Sequence, residues 1–573
     1  MGTGYFFHVP HSLKKVACPH FIMKKSILII AALALAAFFL FFFRLGSFAL
    51  TDPDEVFYGQ TSKEMLQRGE WLTPYLYGKP QFEKPILFYW LVEASYKIFG
   101  VNEFAARFPS AVLGLLGTIV TYLLGAALFS RRAGIFSSLI AAANVEYIAL
   151  SRACVTDMAL AVFLGAGFLF FIYGYRKGRA LPYAASSAFF GLAVLTKGPI
   201  GILLPGAAIL FFLFIRKDMK SIGKMPLVLM AFSFLAVTLP WYLAMYKGHG
   251  RVFIDEFFGF RHITRFLEPE HEWGVAPYYN IPVLFAGFFP WSAFLPVALW
   301  QNVRKAFADK DDDARLGHSF LLLWFAAFFV FFSISSTKLP TYIFPVFIPA
   351  SVMVGALWNE LAGPGFTAVL KWTRFAHFFL LVAVGAIAVG AYIFITRNYA
   401  DIVNIKSAVS GGLIFITGIA LSFVFFIRNR FTGSLVLIAA SCVAFLVNFS
   451  FSVLPAIEIH ETSRLAAEKL KTLMKTDEAV GCESHYQRGI AFYTGRFPAD
   501  LDKHHELVKF LSRDKRVWAV LKEKNHIQLY ELDTKPRYSK TTYVVWRLGK
   551  KCIVTNKIPD GGVYLEKRER AKP

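Results

Sequence analysis

Three carboxylates, Asp52, Asp54 and Glu55, stand in the stretch TDPDEVFYG, soon after the apolar run SILIIAALALAAFFLFFF. A carboxylate held beside a reacting hydroxyl can act as a general base. Negative charge is also favoured in the first turn of a helix, so Asp54 has a second interpretation as a helix cap, with Thr51 or Asp52 as alternatives. Capping accounts for one acid but hardly for three, so the stretch favours chemistry at the edge of a membrane.

A second charged group, Glu83 and Lys84, lies between Pro80 and Pro85 in the stretch KPQFEKPILFYW. Proline restricts the residue before it to extended conformations, which fixes the direction of the Lys84 backbone. A salt bridge within the loop is the alternative, but exposed ion pairs stabilise a protein by only about 0–1 kcal/mol. We therefore expect Lys84 to bind a phosphate group.

Three more charged residues lie where apolar segments begin or end: Asp157 in RACVTDMAL, Lys197 in LTKGPIG and Lys338 in SSTKLPTYIFP. An unpaired acid in the hydrocarbon costs about 2.5–3.5 kcal/mol, so Asp157 predicts either a polar cavity or a partner, for which Arg152 is a candidate. The two lysines favour phosphate or diphosphate binding, although lysines in such turns also extend to lipid headgroups.

His262 and Arg265, in FFGFRHITRFLEPEHEWG, are three residues apart and would share one face of a helix. His262 and Glu83 together would supply two ligands to a divalent cation such as zinc. A catalytic zinc site usually has three protein ligands, so these two residues alone do not complete one.

The elements that must position these residues are membrane helices. Of the 573 residues 56% are hydrophobic, and apolar runs long enough to cross a bilayer recur from Ser26 to about Leu454. The runs are apolar on all sides, unlike the amphipathic helices of a soluble protein. We predict about thirteen spans. They cover residues 26–44, 109–129, 134–151, 157–174, 181–196, 199–215, 226–246, 280–300, 317–335, 341–358, 375–395, 410–427 and 433–454.

Basic loops alternate along the chain and predict its topology. Six loops between predicted spans, beginning with SRRAG at 130–134, are basic, as cytoplasmic loops are. Much of the formal net charge of +23 lies in such loops and not on a basic soluble face with aromatics, which argues against nucleic acid as a partner. With the N-terminus in the cytoplasm, the candidate acids, lysines, His262 and Arg265 all fall on the opposite side of the membrane.

The chain outside the spans is predicted to form smaller parts. Residues 1–25 are an N-terminal extension, either disordered or upstream of a natural start at Met23. Segments 54–68 and 85–99 carry an apolar stripe at helical spacing, which predicts two helices lying at the membrane interface. Residues 456–573 alternate between strand-like and helix-like patterns, as in a small α/β domain outside the membrane.

The C-terminal domain contains none of the common catalytic or nucleotide motifs. It has no glycine-rich phosphate loop, no HExxH and no GxSxG. Its two cysteines, Cys482 and Cys552, would pair if the domain lies in an oxidising compartment.

Seven stretches occur in one order within residues 26–455: DPDEVFYGQTSKEML, FEKPILFYWL, FAARFPSAVLGLLGTIVTYLLG, VTDMAL, LTKGPIG, HITRF and TKLPTYIFPVF. Together they resemble the membrane glycosyltransferases of the C-type (GT-C) fold. The resemblance is closest to the 4-amino-4-deoxy-L-arabinose lipid A transferases and their relatives in the dolichyl-phosphate-mannose–protein mannosyltransferase superfamily. It implies a polytopic α-helical protein of the bacterial inner membrane, with a small periplasmic α/β domain at 456–573.

The resemblance also implies a reaction and roles for single residues. A sugar would pass, with inversion, from a polyprenyl-phosphate donor to lipid A, another glycan or a protein, without a nucleotide cofactor. Asp54 would be the general base, with Glu55 and Asp157 positioning the acceptor. The remaining roles implied are donor-phosphate binding by Lys84, Lys197 and Arg265, with Lys338 added from its position, zinc binding by Glu83 and His262, and lining of the cavity by Tyr58 and Tyr342.

The chain departs from the arabinose transferases at one position. Phe57 stands where those proteins usually carry arginine, so one phosphate contact is missing. The identity of the sugar and of the acceptor is therefore left open within the family.

Two other classes of function fit part of the sequence. A transporter or flippase of lipid-linked sugars would also hold charges within the membrane. Transporters tend to have related halves and sites near the midplane, whereas no repeat is visible here and the charges gather at one face. A membrane-anchored sensor would leave the charged outer loops unexplained, so the sequence favours a transferase.

Overall fold

A computed structural model of the chain describes residues 35, 37–264, 276–308, 312–363, 367–398, 403, 405–531 and 540–568. The predicted N-terminal extension, 1–25, lies outside these residues, as does most of the first predicted span.

Apolar helices build the chain between residues 103 and 452. In the described ranges eight helices are long and apolar enough to cross a membrane, or nine if one bent pair counts as a single span. The helices run over Glu103–Leu128, Arg131–Ala142, Val145–Ser151, Asp157–Lys177, Ala180–Lys197, Ile200–Ile215, Leu227–Ile254, Asn280–Gly287, Leu295–Ala308, Asp312–Ile334, Phe347–Leu361, Thr367–Asn398, Ile405–Ile427 and Phe431–Ser452. Short 3₁₀ helices cover Met219–Lys224, Trp291–Ala293 and Pro340–Val346, and a π-helix covers Asp255–Thr264.

The predicted span at 134–151 is broken in the structure. Its two halves, Arg131–Ala142 and Val145–Ser151, meet at an angle of 70°. The break is stabilised at Asn144, whose side chain accepts a hydrogen bond from the backbone of Tyr147 and so caps the second half. The predicted span at 280–300 is likewise divided, and thirteen spans therefore remains a prediction.

The membrane helices approach closely where their facing residues are small. A Cβ atom added to Gly125 would lie 2.8 Å from the Cα atom of Gly134 on the next helix. Large buried aromatic side chains such as Trp324 and Trp358 fill the spaces further from such contacts. Close backbone approach at small residues is typical of helix packing within membranes.

The segment that follows the first predicted span contains two helices. The acidic helix, Asp54–Arg68, buries most of its residues, and Leu87–Phe99 packs beside it. Between them a short hairpin joins β1, Tyr75–Leu76, to β2, Lys79–Pro80. Their location at the membrane interface remains a prediction.

The C-terminal domain is the predicted small α/β unit. Its helices are Leu454–Glu461, Arg464–Leu473, Ser484–Thr494, His504–Leu511 and Glu523–Glu531. Its strands are β3 Ala479–Cys482, β4 Ala499–Asp500, β5 Val517–Lys522, β6 Thr542–Leu548, β7 Lys551–Thr555 and β8 Glu566–Arg568. They form one sheet in the order β4-β3-β5-β7-β6-β8, in which β3 is parallel to β4 and β5 and the other pairs are antiparallel.

The hypothesis that Cys482 and Cys552 pair, which the sequence left open, does not hold, because strand β5 lies between them. Cys482 is opposite Val520 and Cys552 is opposite Leu521 on the two sides of β5. Two strand spacings amount to roughly 9–10 Å, whereas a disulfide needs Cα atoms within about 7 Å. Both thiols are buried and free.

Candidate active site

Asp54 is the first residue of the acidic helix and presents its carboxylate to solvent. The N-cap position is Pro53, and no side chain caps this helix, so the capping interpretation of Asp54 does not hold. Surrounding protein desolvates the carboxylate and thereby raises the pKa of Asp54. The charges of Arg488 and Lys84 oppose this rise, while Asp157 adds to it. An acid that is exposed, partly desolvated and near cations suits proton transfer.

Glu55 points away from Asp54 and forms a buried ion pair with Arg107. Arg107 Nε donates to Oε1 at 2.8 Å and Nη2 donates to Oε2 at 2.7 Å. The backbone of Cys154 and the hydroxyl and backbone of Thr51 also donate to this carboxylate. Burial alone would raise the pKa of Glu55, but the charge and hydrogen bonds of Arg107, together with the hydrogen bonds from Thr51 and Cys154, outweigh it and lower the pKa. Glu55 thus ties the start of the acidic helix to the membrane helices.

Asp157 and Lys197 form a second buried ion pair, with Nζ and Oδ1 2.5 Å apart. Both side chains are only 9% exposed, so the pair is largely shielded from water. Arg152, the other candidate partner of Asp157, instead donates to the carbonyls of Leu40 and Phe41. The paired acid and lysine therefore explain how both charges are tolerated beside an apolar helix.

The two predicted aromatic residues lie near this ion pair. The ammonium of Lys197 is 4.9 Å from the centre of the Tyr342 ring. The hydroxyl of Tyr58 lies 3.4 Å from that of Thr156, next to Asp157. Tyr58 and Tyr342 are thus brought to the same region as the acids, although they are distant in sequence.

Glu83 and Lys84 lie in the turn before helix Leu87–Phe99. The backbone N–H of Glu83 donates to the side chain of Gln81 at 2.8 Å, which fixes the turn locally. The charge of Lys84 lowers the pKa of Asp54, so this predicted phosphate ligand lies within electrostatic range of the exposed acid.

Lys338 is buried, with 3% of its surface exposed, and lines a cavity of about 320 Å³. Three serines, Ser333, Ser335 and Ser336, line the same cavity, and its apolar wall includes Phe329. The cavity therefore combines a cation and hydroxyls with an apolar surface.

Arg265 and the side chain of His262 lie outside the described part of the structure. Among the residues that are described, no group of three histidine, cysteine or acidic side chains could hold a metal ion. Glu83 and His262 as zinc ligands therefore remain a prediction.

The C-terminal domain docks on the acidic loop through contacts that the sequence did not predict. Ser463 Oγ donates to Asp52 Oδ2 at 2.6 Å, and Lys63 Nζ donates to the carbonyl of Phe492 at 2.6 Å. Desolvation raises the pKa of Asp52 to about 7, although Ser463 and Lys551 oppose the rise. Asp52 is thus a buried acid at the junction of the two domains.

Arg488, on helix Ser484–Thr494 of this domain, reaches the start of the acidic helix. Its Nη1 donates to the carbonyl of Pro53 at 3.3 Å, and its guanidinium carbon lies 4.8 Å from the centre of the Phe57 ring. Among the cations that act on Asp54, Arg488 has the largest effect. No local pattern marked this residue in the sequence.

Comparisons with known proteins agree with this architecture. The family described as dolichyl-phosphate-mannose-protein mannosyltransferase matches residues 83–243. The undecaprenyl phosphate-alpha-4-amino-4-deoxy-L-arabinose arabinosyl transferase 2 of Proteus mirabilis (strain HI4320) is 31% identical over 366 residues, 62% of this chain and 64% of that protein. The similarly named transferase of Yersinia enterocolitica is 32% identical over 349 residues, 60% of this chain and 61% of that protein. The matched segments thus span less than two thirds of these relatives.

Similarity to a solved structure extends over almost the whole chain. The crystal structure of ArnT from Cupriavidus metallidurans bound to undecaprenyl phosphate has a TM-score of 0.74 and 23% sequence identity. The superposition covers 93% of this chain and 98% of that one. It confirms the predicted polytopic fold.

Proposed function

We propose that this chain, which has the GT-C fold, is a membrane glycosyltransferase like the proteins that it resembles. It would transfer a sugar from an undecaprenyl-phosphate-type donor to lipid A or another envelope acceptor, such as a glycan or a protein. The names of its relatives support the donor class. The observation that carries the proposal is the exposed carboxylate of Asp54, which lies within the electrostatic reach of Lys84 and Arg488.

Asp54 is proposed as the general base. It takes the proton of the acceptor hydroxyl, whose oxygen attacks the anomeric carbon of the donor sugar. The bond from that carbon to the phosphate oxygen breaks, and its electron pair leaves with the polyprenyl phosphate, so the configuration inverts. The raised pKa of Asp54 supports this role, because a base works best when its pKa is near the working pH.

Cations stabilise the departing phosphate in the proposed reaction. Negative charge grows on the phosphate as the glycosidic bond breaks, so fixed cations stabilise the transition state more than the ground state. Lys84, whose charge acts on Asp54, is one candidate ligand, and Arg265 and Lys338 are proposed as further phosphate ligands. Lys197 already forms an ion pair with Asp157. It would therefore contribute to phosphate binding only by contacting that acid and the phosphate at the same time.

Glu55 and Asp157 are proposed as positioning residues. The oxygens of Glu55 accept hydrogen bonds from Arg107, Thr51 and Cys154, which hold Asp54 in place at the start of its helix. Asp157, through Lys197 and its neighbour Tyr342, shapes the wall of the site on the membrane side.

No step of the proposed reaction passes through a metal or a nucleotide. The donor already carries an activated phosphate, so a nucleotide is not required. Zinc binding by Glu83 and His262 remains a separate proposal, which elemental analysis of protein purified without chelator tests.

We further propose that the site faces the periplasm, with the N-terminus in the cytoplasm of a bacterial inner-membrane protein, since the basic loops alternate accordingly.

The test of the function is transfer by purified protein, with undecaprenyl-phosphate-linked sugar as donor and lipid A as acceptor. Asp54→Asn should lower the rate by roughly 10²-fold or more, while keeping the unfolding temperature and the binding of undecaprenyl phosphate. Asp477→Asn, at an exposed acid of the C-terminal domain, is the matched control. Turnover of Asp54→Asn at the wild-type rate would reject the base assignment.

The sugar and the acceptor are identified by mass spectrometry of lipid A and envelope glycans. A strain that lacks this protein should lose one glycan modification and accumulate the carrier-linked sugar. Unchanged lipid A, glycans and carrier pools would argue against a transferase.

A further inference from the structure

Arg488 contacts the residues beside the proposed base, Pro53 and Phe57, although it belongs to the C-terminal domain. Its helix cannot move away from the acidic loop without breaking several contacts. A Cβ atom added to the next residue, Gly489, would lie 2.5 Å from Asp52 Oδ1, so the helix backbone packs directly against that acid. Ser463 and Lys63 make further hydrogen bonds across the same junction.

The guanidinium of Arg488 retains most of its hydrogen-bonding capacity. A guanidinium has five N–H donors, and among the described residues only the carbonyl of Pro53 accepts from this one. Its contact with Phe57 is with a ring, which supports the guanidinium and accepts no N–H bond of ordinary strength. The residue is half-buried, so the side chain is not enclosed on all sides by protein.

Arg107 illustrates what a purely structural arginine looks like in the same molecule. It is fully buried and makes five hydrogen bonds, to Glu55, Leu45, Phe48 and Ala49. All of its nitrogen atoms are used. Arg488, with one backbone acceptor, is therefore arranged differently, as an arginine is when it awaits an anionic ligand.

The position of Arg488 also determines where such a ligand would lie. The charge of Arg488 lowers the pKa of Asp54 more than that of Lys84 does. Arg488 and Asp54 nevertheless form no ion pair among the described residues. An anion bound by the free N–H donors would thus sit next to the carboxylate that takes the acceptor proton. Planar, two-pronged donation by arginine matches phosphate oxygens well.

We propose that Arg488 binds a phosphate ester of a substrate beside Asp54, so that the C-terminal domain supplies a ligand to the site built by the membrane domain. The inference rests on the proposed function, which provides two phosphate esters. One is the polyprenyl phosphate of the donor, and the other is a phosphate group on the acceptor. Both have the same chemistry, and the experiment below separates them.

The experiment compares the binding of two probes to full-length protein by native mass spectrometry. The probes are undecaprenyl phosphate and bis-phosphorylated lipid A, with dephosphorylated lipid A as the uncharged reference. The variants are Arg488→Gln, which removes the charge, and Arg488→Lys, which keeps it. Arg513→Gln, at an exposed arginine of the same domain, is the control, and thermal unfolding verifies that each variant is folded.

Loss of a charged hydrogen-bonding partner should weaken the affected probe roughly 10- to 100-fold in Arg488→Gln, with partial rescue in Arg488→Lys. Weaker binding of undecaprenyl phosphate would identify the donor phosphate. Weaker binding of bis-phosphorylated lipid A alone, with the dephosphorylated form unaffected, would identify the acceptor phosphate. Wild-type affinity of Arg488→Gln for both probes, or binding of neither probe by the wild-type protein, would overturn the proposal.

Failure of the proposed function is a separate outcome. If the wild-type protein binds a probe but transfers no sugar, the transferase assignment fails, while the binding data for Arg488→Gln still decide the role of Arg488. If transfer occurs and Arg488→Gln binds and turns over as the wild type does, only the role of Arg488 fails.

Discussion

Glu55 and Arg107 form a two-pronged ion pair that is almost completely shielded from solvent, although 52 residues separate them. The pair joins the start of the acidic helix to the first described membrane helix, Glu103–Leu128. It places Asp54, the adjacent residue, at a fixed point beside the membrane domain.

Glu55→Gln should destabilise the protein. Breaking a buried ion pair by removing one partner typically lowers the free energy of unfolding by about 3–5 kcal/mol, because the remaining charge is left uncompensated. Thermal unfolding of purified protein measures the effect, and Glu468→Gln, at an acid that is 60% exposed, is the control. An unfolding temperature equal to that of the wild type would show that Glu55 does not have this structural role.

Variants of the buried pair of Asp157 and Lys197 should affect the stability and the transfer rate differently. The first of them is Lys197→Met. It leaves the carboxylate of Asp157 without its partner, so we expect a loss of stability similar to that of Glu55→Gln. The double variant Asp157→Asn/Lys197→Met should regain much of the stability but not the transfer rate. If the effects of the two single variants on stability simply add in the double variant, the two residues are not coupled.

The transfer rate should fall at low pH as Asp54 becomes protonated. Because desolvation raises the pKa of Asp54, this acidic limb should begin above the range of an ordinary aspartate. Lys84 and Arg488 hold the pKa down, so Arg488→Gln should move the limb to higher pH. The dependence of kcat/KM on pH measures the shift, and an unmoved limb in Arg488→Gln would contradict the electrostatic link.

Docking of the C-terminal domain should strengthen as the pH falls. The pKa of Asp52 is about 7 in the folded protein against an ordinary value of 3.8, so between these values the folded state binds the proton more tightly than the unfolded state. Stability should therefore rise on going from about pH 8 to about pH 5. Asp52→Asn, which resembles the protonated acid, should make the unfolding temperature less dependent on pH in this range. An unchanged slope in Asp52→Asn would assign the dependence to other groups.

Local patterns in the sequence predicted much of the fold. Uniformly apolar runs identified the membrane helices, and the acidic helix begins at Asp54, within a stretch whose acids were already candidates. The break at Asn144 was missed, because the run at 134–151 is mostly apolar on both sides of it despite Glu146. A short polar residue inside an apolar run was the available signal, since asparagine favours helix N-caps.

Contacts between side chains that are distant in sequence could not be predicted. The sequence offered Arg152 for Asp157, but the folded chain uses Lys197, 40 residues away. Arg107 did carry a signal, as an isolated arginine at the edge of an apolar segment. Arg488 carried none, because its place beside Phe57 results from the docking of two domains and not from any local periodicity.

The junction between Asp52 and Ser463 has a consequence for biosynthesis, because 411 residues separate its two sides. When the membrane helices have left the ribosome, the segment that covers the acidic loop has not yet been synthesised. Prematurely terminated products that stop before Ser463 would therefore carry Asp54 without Arg488 or the docked domain. Synthesis in this order delays completion of the candidate site until most of the chain has been translated.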